Sequence, residues 1–346
     1  MSLKVGVISG GSWGTALGAL MAEKDYSVNI WAREQEIIDS INKDHENPLF
    51  LKGIKLPSKL TAVSDISNAV HSMDIIILAS PAQHLRSILN DISFMISPGT
   101  YIVLASKGIE NGTLKMMHQV AEEILPAILH KNIFVISGPT FAAELAMKTP
   151  TCAVIAGHNS EDMGSIQGFF NSPYMRIYRS NDITGVELGG ALKNIFAIAV
   201  GILEGMGLGK NTQAALITRS IAEITRLVIA LGGNPLTISG LSGIGDLVLT
   251  CTGDLSRNRQ VGIRLGKGEN ISAILSSMLM VAEGVTTTKA AYDLSRKVNV
   301  EMPITETLYK VLYEDADIFK SFQALMTRSL KDELLSYGGM NDSCSN

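Results

Sequence analysis

Several things are scarce in this 346-residue chain, and each shortage removes a class of function. It has 3 cysteines, Cys152, Cys251 and Cys344, without the paired spacing of a zinc site or a disulfide framework. They suit reduced thiols and a cytoplasmic protein. No block of Lys and Arg stands out and the net charge is −4, which argues against a nucleic-acid binder. The apolar stretches are shorter than the roughly 20 residues a bilayer crossing needs. The start, "MSLKVGVISGG", runs from a short strand pattern straight into glycines and lacks a signal-peptide layout. There is no internal repeat and no low-complexity linker. Histidine is missing from the second half: His45, His71, His84, His118, His130 and His158 all precede residue 159. A dehydrogenase with a histidine acid/base on its second domain is therefore disfavoured.

The first half alternates short apolar strands with helices. Strands are expected at Leu3–Ile8, Tyr26–Trp31, Ile75–Ala79, Tyr101–Ala105, Ile133–Ser137 and Cys152–Ala156. Helices are expected at Glu34–Lys43, Gln83–Met95, Leu114–Leu125 and Phe141–Met147. That alternation predicts a parallel sheet covered on both faces, with ligands beyond the strands' C-terminal ends. After about Asn181 helical periodicity takes over, beginning at Val186–Leu203. The predicted class is an α/β Rossmann-like N-terminal domain (1–185) followed by an all-α domain (186–337), with a disordered tail (338–346).

The first strand–helix turn holds Ser9, Gly11 and Gly14 where a dinucleotide fingerprint has three glycines. The second and third glycines are present, for backbone approach to a pyrophosphate and for helix–strand packing. The first position is a serine. After the second strand comes Arg33 with no acid at that spot, which suits the 2′-phosphate of NADPH and leaves NADH open. Lys107 follows the fourth strand, and Gly138, Pro139 and Thr140 follow the fifth, with Thr140 a candidate helix N-cap.

In the helical half the stretch Val186–Asn194, "VELGGALKN", places Gly189 and Gly190 on the face of Lys193, one turn back. Two readings fit. A flat ligand lies on the glycines with Lys193 at its polar atom, or a helix packs closely there and the lysine snorkels. Burial would lower the lysine's pKa towards that of a neutral-pH proton donor. Asp246, after a glycine cluster, is a candidate partner for that ammonium or a simple turn residue. Ser256, Arg257 and Asn258, at an expected helix start, form a candidate phosphate cradle or a surface helix.

Five ordered stretches, "GGSWGTALG", "SGPTFAAEL", "GVELGGALKN", "GIGDLVLTCTGDLSRNR" and "EMPITE", resemble the bacterial-type NAD(P)-dependent glycerol-3-phosphate dehydrogenase family. The resemblance spans residues 3–334. It implies a Rossmann-like domain followed by a helical one, and interconversion of dihydroxyacetone phosphate and sn-glycerol 3-phosphate for phospholipid synthesis. It implies Lys193 as acid/base, with Lys107, Asn194, Asp246 and Thr250 around the reacting end. Thr140, Ser256, Arg257 and Asn258 would meet the substrate, the last two chiefly its phosphate. Ser12, Trp13, Arg33, Lys107, Gly138, Ala142, Arg257, Val281 and Glu283 would line the cofactor site. Ser9 departs from the family's glycine and is expected to carry strain if its φ is positive. A homodimer is compatible with the apolar helical half, and no metal site is expected.

Two rival readings fit the same residues. A lysine-dependent dehydrogenase of β-hydroxyacids would need a carboxylate site in place of the Ser-Arg-Asn cradle. An NADPH-binding redox sensor would need no lysine, aspartate and arginine constellation.

Overall fold

The computed structural model describes residues 2–278, 281–330 and 332–333. The tail expected at 338–346 lies outside the described residues. Eight strands form one sheet: β1 (Lys4–Ile8), β2 (Ser27–Trp31), β3 (Leu60–Val63), β4 (Ile75–Leu78), β5 (Tyr101–Leu104), β6 (Ile133–Ser137), β7 (Thr151–Gly157) and β8 (Met175–Ser180). Their order is β3-β2-β1-β4-β5-β6-β7-β8. The strand order reverses between β1 and β4, which opens a crevice beyond the C-terminal ends of those strands. One apolar layer covers each face of the sheet, Leu17, Ile30 and Phe134 on one side and Ile76, Leu89 and Ile102 on the other.

The sheet is not wholly parallel as the alternation predicted: β7 pairs antiparallel with β6, and β8 then runs parallel to β7. The helix between β6 and β7, Ala142–Ala146, has five residues. It is about 7.5 Å long, too short to carry the chain back along a strand. β3 and β8 were not anticipated. β8 sits at one edge with Arg176, Tyr178 and Arg179 turned outward, and β3, four residues with Thr61 exposed, sits at the other. Edge strands of this kind carry too little apolar character to stand out.

Among the described residues every strand precedes residue 181, and helices alone follow. The first of them, Ile183–Gly205, is the central helix. Asp182 starts it: Oδ1 accepts the Gly185 N–H (2.9 Å), while Oδ2 accepts the Asn234 N–H and the Thr237 hydroxyl. It is longer than the expected Val186–Leu203. Its length and mean hydropathy of 1.6 would suit a membrane, yet the whole apolar window is buried inside the protein. Ile183 and Val186 join a core layer of the sheet, and Leu188 onward joins the core of the helical half. One helix thus belongs to both cores.

Its far end makes a close crossing with the helix Arg257–Gly266. A Cβ at Gly201 would stand 2.2 Å from the Arg259 carbonyl oxygen, and one at Gly205 2.2 Å from that of Ile263. Reciprocally, Gly262 and Gly266 face the carbonyls of Ile198 and Ile202. Small residues four apart on both helices let the backbones touch. This crossing fixes the start of the second helix, Ser256–Asn258, over the crevice.

Candidate active site

The site is assembled on the central helix from three distant segments. Gly189 and Gly190 are where they meet, and here the ligand reading of those glycines gives way. A Cβ at Gly189 would lie 2.3 Å from the Ser242 carbonyl oxygen, and one at Gly190 would lie 2.4 Å from Ser137 Oγ, with the Lys107 stem beside it. Protein atoms fill the space, so the glycines bring in neighbouring chain. What comes in at Gly189 is the turn Leu241–Gly245, closed by a wide bond from Gly245 N–H to Gly240 O (3.2 Å). Such wide turns recur at functional sites. This one runs directly into the helix Asp246–Thr252 and lays Asp246 against Lys193, one helical turn beyond Gly189.

The Asp246 carboxylate is fully buried and shared by two ammonium groups. Lys193 donates to its Oδ1, and Lys107 donates to its Oδ2 at 2.8 Å. Lys107 also donates to the Gly138 carbonyl (3.2 Å). Gly138 has φ 149° and its Cβ position is blocked by Ala153, so it must be glycine. The Thr250 hydroxyl donates to the Asp246 carbonyl (2.6 Å). Burial lowers the Lys193 pKa to about 7, against the pull of Asp246 and assisted by the nearby Lys107 charge. The trio carries one net positive charge when both lysines are protonated.

A cleft of about 710 Å³ leads from this trio along the ends of β5, β4, β1 and β2 to Arg33. Every expected site residue except Gly138 and Asp246 lines it, and those two touch it through Lys107 and Lys193. Both halves of the chain contribute. Near the trio, Ser256 is the N-cap of its helix, its hydroxyl accepting the Arg259 N–H (3.2 Å). The Asn258 amide donates to Asn194 Oδ1 (2.9 Å) and accepts the Gly284 N–H (2.9 Å). One of its N–H groups therefore remains for a ligand. Arg257 donates to the Val281 carbonyl (3.0 Å), and burial holds its guanidinium below the usual range, opposed by Glu283. Burial likewise pushes the Glu283 carboxyl up to about 7, despite the Ala82 N–H bond and the Arg257 charge.

Two expectations need correction. Thr140 does not cap a helix: its hydroxyl donates to the Gly138 carbonyl (3.2 Å), and the Ala142–Ala146 helix starts after Phe141 with no side-chain cap. The extended turn that follows Gly138 delays the helix by one residue. An acid does stand beside Arg33, because Glu34 lines the same end of the cleft. Glu34 follows Arg33 directly in the chain.

The cleft fits a nicotinamide dinucleotide. At the β1 turn the helix Ser12–Glu23 begins on Gly11 without a side-chain cap, leaving its first N–H groups for an anion. Trp13 Nε1, Ser80 Oγ and Glu283 Oε2 are buried along the cleft with no protein partner among the described residues. Ser9 has φ 132°, a conformation that glycine adopts freely and serine only under strain. Sequence reasoning missed Phe50 and Leu51, which line the same cleft as this turn. They come from a loop without periodicity and carry no motif.

Comparison with known proteins agrees with this geometry. Residues 4–163 match the family profile of the NAD-dependent glycerol-3-phosphate dehydrogenase N-terminus, and residues 182–323 match that of its C-terminus. The chain belongs to the NAD-dependent glycerol-3-phosphate dehydrogenase family. It is 47% identical over 333 residues to a glycerol-3-phosphate dehydrogenase [NAD(P)+] of Geobacter sulfurreducens, covering 96% of this chain and 99% of the relative. A relative with the same description from Leptospira biflexa is 47% identical over 331 residues, again covering 96% and 99%. The crystal structure of a Coxiella burnetii glycerol-3-phosphate dehydrogenase superposes with a TM-score of 0.90 at 34% identity, over 94% of this chain and 99% of that one. The chain is thus an oxidoreductase acting on a CH–OH group, with a Rossmann-like sheet followed by a helical region.

Proposed function

We propose that this chain interconverts dihydroxyacetone phosphate and sn-glycerol 3-phosphate with NADPH, and with NADH as a second cofactor, through Lys193 as acid/base. The observation that carries this reading is the buried Lys193–Asp246–Lys107 trio at the closed end of a cleft shared by both halves. The reduced nicotinamide, when bound, supplies hydride for C2 of the ketone. Lys193, with its pKa near 7, gives its proton to the alkoxide that develops there and takes it back in the oxidation direction. Lys107 adds a second positive charge beside that oxygen. Asp246 orients both ammonium groups and keeps the pair from repelling each other out of the site. Arg257, Asn258 and Ser256 hold the substrate phosphate, and that remote binding energy positions C2. Ser12, Trp13, Arg33, Ala142, Val281 and Glu283 bind the dinucleotide, with Thr140 and Asn194 beside the substrate. Arg33 supports NADPH by pairing with a 2′-phosphate, and the neighbouring Glu34 supports acceptance of NADH.

The same reading divides the chain into a dinucleotide-binding unit, 1–185, and a substrate unit, 186–337. It places the reaction in the cytoplasm, feeding glycerol 3-phosphate to phospholipid synthesis. A homodimer is compatible with this reading, and Phe319 and Met326 lie exposed on the helix Ile318–Met326.

The test is oxidation of NADPH and NADH, side by side, with dihydroxyacetone phosphate. Lys193→Ala should cut turnover by at least 10³-fold, within the range for losing a general acid, while NADPH still binds within about threefold of wild type. Turnover within tenfold of wild type in that variant would overturn the assignment of Lys193.

A further inference from the structure

Asn47 is completely buried, in the loop between the helix Gln35–Asp44 and β3. Its amide makes three bonds that tie two walls of the cleft together. Nδ2 donates to the Gly10 carbonyl (2.8 Å) and to Thr15 Oγ1 (2.9 Å), and Oδ1 accepts the Phe50 N–H (3.1 Å). Two acceptors on one side and a donor on the other fix which way the amide points. The Thr15 hydroxyl, also fully buried, donates to the same Gly10 carbonyl (3.2 Å). The Asn47 carbonyl in turn accepts the Leu51 N–H (3.0 Å).

The Gly10 carbonyl is therefore held by two side-chain donors, immediately after the strained Ser9. A non-glycine residue at φ 132° is strained and persists only where its surroundings over-determine it. Thr15 and Asn47 supply that over-determination. The other end of the Asn47 amide holds the Phe50 backbone, and Phe50 and Leu51 line the same cleft as Ser9, Gly11 and Ser12.

We propose that Asn47 is a positioning residue for the cofactor. It locks the strained β1 turn and the Phe50–Leu51 wall together, so that the dinucleotide meets a preformed slot and no binding energy goes into ordering it. The proposal rests on the reading that this cleft takes NADPH. Asn47 touches neither reacting atoms nor substrate, so its removal acts on cofactor affinity and leaves the chemical step alone.

The test is NADPH fluorescence titration and steady-state kinetics on the full chain carrying Asn47→Asp, which keeps the side chain's size and replaces both donors with an acceptor. The Kd for NADPH should rise tenfold or more, while kcat at saturating NADPH and the KM for dihydroxyacetone phosphate stay within about threefold. Adding Ser9→Gly should recover much of the lost affinity, because glycine takes that φ without needing the clamp. Should Asn47→Asp fail to fold, Thr15→Val withdraws one donor from the same carbonyl and carries the same expectation. A folded variant with an unchanged Kd overturns the proposal. So does a Ser9→Gly effect of equal size with and without Asn47, since that shows no coupling between clamp and turn. A wild-type chain that binds neither NADPH nor NADH instead overturns the cofactor reading itself.

Discussion

Lys193 and Lys107 hold one carboxylate between them, and the consequences are electrostatic. With a pKa near 7, Lys193 is protonated below neutrality and free base above it. On the proposed mechanism, reduction of the ketone needs the ammonium form and oxidation of the alcohol needs the free amine. The kcat/KM for dihydroxyacetone phosphate should therefore fall as pH rises through about 7, and that for glycerol 3-phosphate should rise over the same range. Parallel profiles in the two directions would argue that another group moves the proton. At this scale the sequence was readable where a residue type is scarce. No histidine competes in the second half, which singles out Lys193, and Asp246 follows a conspicuous glycine cluster. It was unreadable where the meaning lies in a distant partner. Gly189 and Gly190 look like bare ligand-facing backbone until Ser242 and Ser137 are seen against them. Asn47 belongs to no motif, and nothing local says that its amide reaches back to Gly10.

Helices in the second half are placed by backbone contacts as much as by apolar stripes. The Gly201–Gly205 and Gly262–Gly266 crossing is one case. The stretch "EMPITE" is another, because its helix, Pro303–Tyr313, begins on a buried carboxylate from a different helix. Glu223 accepts the Ile304 and Thr305 N–H groups (2.5 and 3.2 Å) and the Thr305 hydroxyl (3.0 Å). Glu223→Ala leaves three buried donors unpaired and should cost about 2–4 kcal/mol in urea unfolding. Burial raises the Glu223 carboxyl to about 7, against those hydrogen bonds. Its folded value thus exceeds the unfolded one near 4.5, so its proton-linked contribution is complete below that value and is lost as pH rises through about 7. The gap between wild type and variant should be wider at pH 4.5 than at pH 7.5; a gap that widens with pH would contradict the burial argument. Helices and inner strands were legible because their apolar periods are long. The reversal at β7 was hidden because direction depends on how far a connection can reach, and β3 and β8 because edge strands carry polar residues.

Both halves share the cleft and the central helix runs through both cores, so they should melt together. NADPH at about 100 times its Kd should add about 2.7 kcal/mol and raise a single transition by several degrees. Two resolved transitions, with NADPH moving the first alone, would show that the halves unfold independently. The central helix carries a last consequence. Nearly all of it is enclosed by protein, so its amide protons can exchange with solvent only when the whole molecule opens. Lys193, the proposed proton donor, is thus mounted on a segment that yields only with the whole molecule. Any rearrangement that accompanies a catalytic cycle must be made by the walls of the cleft, moving around a group that stays where it is.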